Sequence, residues 1–181
     1  MTNMYVYGRE WQEALHKILK RLASNYGYGF MVIEGPDASG KTDLLTLVSH
    51  IAEDSSVIKN LPDQKLRELG KMVREKSYLQ IRLEDAEECN SIPLSIFKKL
   101  IATISDKGIL PRQPLLIMWD NIDRCLGSSF HQDPSRKFLE EMHRPLEIYE
   151  HLTFICTVTA APGEGSETLG TSAGLDHFLQ L

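Results

Sequence analysis

The order of hydrophobic patterns along this chain predicts an α/β domain in three layers, a mostly parallel sheet flanked by helices. Stretches with helical spacing of apolar residues alternate with short strand-like runs, which is the signature of β-α units. Two of those runs, FMVIE at 30–34 and LLIMWD at 115–120, are almost continuously apolar, as strands buried on both faces must be. The chain has 181 residues, 42% of them hydrophobic and 25% charged, enough for one domain with a real core.

The first helix is expected over residues 9–24, where Trp11, Leu15, Ile18, Leu19 and Leu22 recur at helical spacing among charged residues. The strand at 30–34 follows, punctuated by Gly35. A helix is expected over 41–52, then a second amphipathic helix over 63–76 with Leu66, Leu69 and Val73 on one face and Gly70 weakening it. Residues 78–83 (YLQIRL) alternate and predict a strand; residues 93–105 predict a helix that begins at its favoured proline. The run 115–120 is the most hydrophobic in the chain and predicts a central strand. A helix over 134–150 and a β-branched strand over 152–159 (LTFICTVT) come next, then a Gly/Ser/Thr-rich loop over 160–174. Residues 177–181 (HFLQL) suit either a fifth short strand or a single helical turn. The chain reads as a single domain: 1–27 an N-terminal segment and helix, 28–159 the core, and 160–181 a loop with the last candidate strand.

Charge and composition narrow the function classes. A formal net charge of −5 excludes the broad basic surface of a non-specific nucleic-acid binder. Cys89, Cys125 and Cys156 are odd in number and lack the paired spacing of a disulfide framework or zinc site, so they read as reduced, buried thiols. No apolar run approaches the roughly 18–20 residues of a membrane span, and no signal sequence is evident. The expected compartment is cytoplasmic or nuclear.

The motif that carries chemistry is Gly35-Pro36-Asp37-Ala38-Ser39-Gly40-Lys41-Thr42, a full match to GxxxxGK[ST] set between a predicted strand and a predicted helix. Glycines let successive backbone N–H groups turn toward phosphate oxygens, and the positive end of the following helix, where Asp43 also lies, adds to the attraction. On this reading the ligand is a nucleoside triphosphate, Lys41 reaches the β- and γ-phosphates, and the Thr42 hydroxyl is a magnesium ligand. A second element is the strand ending in Asp120, which looks like a Walker B segment. An acid at the carboxyl end of a buried strand can hold magnesium through water opposite Thr42. Asp123 suits either a supporting acid or a helix N-cap.

The order of these parts resembles the AAA+ and STAND branch of P-loop ATPases, the ASCE class, and most of all the origin-recognition replication initiators. Val6-Tyr7-Gly8-Arg9-Glu10 is similar to the GRE box of those families, which implies that Val6 and Tyr7 flank adenine. The strand YLQIRL between the two motifs fits the same pattern, and Thr159 matches the sensor-1 position. Asp120-Asn121-Ile122-Asp123-Arg124-Cys125 also resembles the continuation of Walker B in KAP NTPases. The resemblance implies ATP and magnesium as ligands, a homo-oligomer or protein partner whose arginine completes the site, and a role in DNA replication. Arg124, Arg136 and Arg144 are the late-chain candidates for such an arginine, and one acting within its own subunit is not expected.

Two departures bear on turnover. Asn121 stands where these ATPases carry a second acid, and an amide orients water without accepting its proton. Hydrolysis is therefore expected to be slow or absent unless Asp123 or Glu34 activates the water. After Arg144 there is no lysine or arginine, so the sensor-2 arginine and its C-terminal helical lid are absent, which suggests a fragment or reliance on a partner. The alternatives are a thymidylate-type nucleotide kinase, since Glu34-Gly35-Pro36-Asp37 and Asp123-Arg124 resemble that family's EGxD and DR motifs, and a binding module that does not hydrolyse.

Other features read as structural. Arg67, Lys71 and Arg74 share one helical face near Lys65 and Lys76 and can meet nucleic acid or an acidic partner. Glu68 and Glu75 break up that charge and favour a solvated face. His131, His143 and His151 lack metal spacing. Trp11 and Trp119 read as packing residues.

Overall fold

The computed structural model describes residues 8–24, 29–83, 102, 114–122, 124, 151–159 and 177–180. Apart from Ala102, the helices expected over 93–105 and 134–150 lie outside these residues. So do the expected loop over 160–174, Val6, Tyr7, Cys89, Asp123, Cys125, Arg136 and Arg144.

Helix α1 (Arg9–Ala23) is followed by β1 (Gly29–Gly35), α2 (Lys41–Glu53), the single turn α3 (Ser55–Ile58), α4 (Gln64–Glu75), β2 (Leu79–Leu83), β3 (Leu115–Trp119), β4 (Leu152–Thr159) and β5 (His177–Gln180). The strands form one sheet in the order β2-β3-β4-β1-β5, and every pairing is parallel. Parallel neighbours require crossovers over the sheet faces, which agrees with the alternation in the sequence. The last apolar run is thus a strand, paired to β1 from Met31↔His177 to Glu34↔Gln180.

Strand alternation divides the sheet into two faces. Met31, Ile33, Leu116, Met118 and Ile155 join the buried faces of α1, α2 and α4 in one core, with Leu15, Ile18, Leu45, Val48, Ile51, Leu66 and Val73. The opposite face is equally buried: Phe30 and Phe154 stack with ring centroids 5.0 Å apart, and Trp119 is 2% exposed. All residues of β1 and β3 are buried, whereas β2 is half-buried. Polar side chains tie β2 to α2: Ser49 Oγ donates to Gln80 Oε1 (2.8 Å) and the Arg82 guanidinium to Thr46 Oγ1 (3.0 Å).

Helix ends follow local chemistry. The Asp63 carboxylate accepts from Leu66 N at 2.8 Å and starts α4, while Asp54 accepts from the backbone and hydroxyl of Ser56 and starts α3. The last carbonyls of α1 have no intrahelical donors, and other elements supply them. Tyr78 donates its hydroxyl to Leu22 O (2.8 Å), Ser24 its hydroxyl to Arg21 O (2.6 Å) and Lys76 its ammonium to Ser24 O (3.1 Å). Burial pushes the Tyr78 hydroxyl up to about 12 and lowers Lys76 from its ordinary value.

Candidate functional site

Strand β1 is short and fully buried, so its end at Gly35 is fixed between β4 and β5, and α2 starts only six residues later, at Lys41. The connection must reverse direction in that space. Gly40, the N-cap of α2, sits at φ 86, where a side chain would be strained, and Ala38 has φ 59. Left-handed residues alternating with others turn consecutive N–H groups inward as an anion-binding nest. Gly40 offers no side-chain cap, so the first N–H groups of α2 have no intrahelical acceptor.

Lys41 is 5% exposed. Its ammonium donates to the carbonyls of Gly35 and Pro36, each at 2.7 Å, so the loop wraps its own cation. Thr42 donates its hydroxyl to Asp120 Oδ2 at 2.7 Å, joining the start of α2 to the end of β3. Trp11 of α1 donates its indole N–H to Gly40 O at 3.2 Å, the same carbonyl that accepts from Leu44 N at 2.9 Å. Trp11 therefore secures the loop as well as packing the core.

Strand β4 lies between β1 and β3, and its register decides which side chain meets Asp120. Trp119 pairs with Cys156, so the next position, Asp120, faces Thr157. Thr157 Oγ1 donates to Asp120 Oδ1 at 2.5 Å and accepts from Asn121 N at 2.7 Å. Both carboxylate oxygens of Asp120 are thus engaged, one from α2 and one from β4. Thr159, two residues further along, lies level with Gly35 on β1. Asn121 has φ 51, a conformation that asparagine tolerates better than most residues. Glu34 is buried but projects from the opposite face of β1 to Ile33, away from the face that carries Thr157 and Asp120.

These parts border one open cavity of about 780 Å³. Residues 36–43 form one wall, Gly8, Glu10 and Trp11 a second, and Asn121 with Arg124 a third. Thr157 and Trp11 are contributors that the sequence reading did not assign to the site, and Arg124 was a candidate only for an arginine supplied to another copy. The threonine choice depended on strand register, and the other two on tertiary placement. Among the described residues, no cluster of three or more His, Cys, Asp or Glu side chains suits a metal, and no helix is long and apolar enough to cross a membrane.

No family model matches this chain, and no curated protein does either. Among solved structures, it is similar to that of C. elegans PCH-2, with a TM-score of 0.52 and 12% identity, over 97% of this chain. The chain spans 43% of the length of that protein. At that identity the likeness shows the fold alone, a parallel sheet flanked by helices.

Proposed function

We propose that this chain binds Mg-ATP at residues 35–42 as a P-loop nucleotide switch of AAA+ type, with hydrolysis that is slow or dependent on a partner. The observation that carries this reading is the joining of loop and strand end: Thr42 at the first turn of α2 and Asp120 at the end of β3 are bonded to each other at 2.7 Å, beside a loop already curled around Lys41. A positive helix end, a nest of amides and a buried ammonium in one place suit a polyphosphate. The fold supports the reading, since ligands of open α/β sheets bind beyond the carboxyl ends of the strands.

Thr42 and Asp120 are hard oxygen donors, the kind magnesium takes alongside phosphate and water. The donor set fits that ion, which when bound neutralises charge on the phosphate oxygens. Thr157 holds Asp120 in orientation through its second oxygen. Lys41 exchanges two carbonyls for phosphate oxygens. Asn121 presents an amide in place of a proton-accepting carboxylate, which favours binding and switching over rapid turnover. Thr159, beside Gly35, senses the occupied loop. Gly8 and Glu10 border the adenine side of the cavity, the resemblance implies the same role for Val6 and Tyr7, and a second copy or a protein partner responds to the bound state. The resemblance to replication initiators supplies the working context, DNA replication.

Titration calorimetry with ATP, with and without magnesium, on wild type and Lys41→Ala tests the reading. Wild type is expected to bind in a magnesium-dependent manner, and Lys41→Ala to lose about tenfold or more, some 1.4 kcal/mol. A folded wild type without magnesium-dependent affinity for ATP would refute the proposal. Phosphoryl transfer from ATP to thymidine monophosphate would replace the switch with the kinase reading.

A further inference from the structure

Charge at the cavity is unbalanced for the ligand proposed. Among the described residues, Glu10, Asp37 and Asp43 bring three carboxylates to its walls, against two cations, Lys41 and Arg124. The Lys41 ammonium sits within the loop, on Gly35 O and Pro36 O. Arg124 stands on a different wall, one turn after β3, where its backbone N–H donates to Asn121 O at 3.0 Å. That turn is anchored at the ligand end: Asn121 N is bonded to Thr157, Thr157 to Asp120, and Asp120 to Thr42. Arg124 therefore borders the cavity on the turn that follows Asp120, the residue bonded to Thr42.

Resting on the nucleotide reading above, we infer that Arg124 is a phosphate-contacting residue supplied by the same chain. It engages the terminal phosphoryl group of a nucleoside triphosphate from the turn after β3. A guanidinium suits this task because it stays charged and offers forked donors to phosphate oxygens. The consequence is that a single copy distinguishes triphosphate from diphosphate without an arginine from a neighbour. The position follows from tertiary placement, and it reverses the expectation that the arginine comes only from another subunit.

The test uses Mg-ATP and Mg-ADP as probes on wild type, Arg124→Ala, Arg124→Lys and Lys41→Ala, with thermal melts to confirm folding. The residue is exposed, and Arg124→Ala is read once its melt shows it folded. Its affinity for ATP should fall about tenfold while that for ADP changes less than about twofold, as the loss of one charge-assisted contact predicts. Arg124→Lys should recover part of the difference. Equal losses for ATP and ADP, or none, would overturn the inference while leaving the nucleotide reading intact, whereas failure of wild type to bind either nucleotide would remove both. Mixing Lys41→Ala with Arg124→Ala separates the source of the arginine. No recovery of ATP affinity is expected; recovery would show an arginine acting between copies and contradict the assignment to one chain.

Discussion

Thr157 serves two groups through one hydroxyl, donating to the Asp120 carboxylate and accepting from the Asn121 amide. Asp120 is buried and Asn121 half-buried, so losing this oxygen leaves a carboxylate oxygen and an N–H short of a bond. Unpaired buried groups cost more than the hydrogen bond itself contributes. Thr157→Val, which keeps the shape, should therefore lower stability by about 2–3 kcal/mol in denaturant melts and weaken the magnesium dependence of ATP binding. Thr157→Ser should restore both. The sequence reading settled on Thr159 because it sought a polar residue at the end of the strand. Thr157 and Thr159 project from the same face of β4, and only the pairing of Trp119 with Cys156 shows which one stands opposite Asp120. That Thr157 meets Asp120 was not legible in the sequence, because register is a property of two strands.

Helix α4 shows the same division between pattern and packing. Its apolar spacing was readable in the sequence, and the helix forms over Gln64–Glu75 with Asp63 as its N-cap. Gly70 reads from sequence as a weakness, yet it is buried under α3 and the turn that follows. A Cβ there would stand 3.3 Å from the Leu61 side chain and 3.4 Å from that of Ile58. The glycine lets those two residues approach the helix. Gly70→Ala gains about 1 kcal/mol of helix propensity against a tight contact and should be within about 1 kcal/mol of wild type. Gly70→Val adds branched volume and should cost about 1–3 kcal/mol, read as a shift in urea midpoint at constant slope. Helix α3, by contrast, was not expected from sequence, because a single turn held by Asp54 is too short to show a period.

At the scale of the molecule, Tyr78 links the start of β2 to the end of α1, and burial raises its hydroxyl from 10.0 to about 12. Because the folded value is higher, stability is unaffected below about pH 10 and falls as the unfolded chain ionises above it, and the fall is complete beyond about pH 12. The difference amounts to roughly 2–3 kcal/mol. Tyr78→Phe should be about 1 kcal/mol less stable at pH 8, for want of one hydrogen bond, yet lose less than wild type between pH 9 and 11. Parallel losses in the two proteins would contradict this. The α/β class, the positions of four of the five strands and the glycine-rich loop were legible, since each depends on local periodicity or on a short pattern. The strand order and the approach of Trp11 and Arg124 to the loop were not, since each depends on segments far apart in sequence.

The account depends most on the backbone amides of the loop as the place where phosphate is held. Titrating Mg-ATP into isotope-labelled protein and following backbone amide resonances tests that directly. The largest shifts are expected at residues 37–42, with smaller ones at Asn121 and Thr157. Saturable shifts confined to other parts of the sheet, or no shift at millimolar ATP, would contradict it.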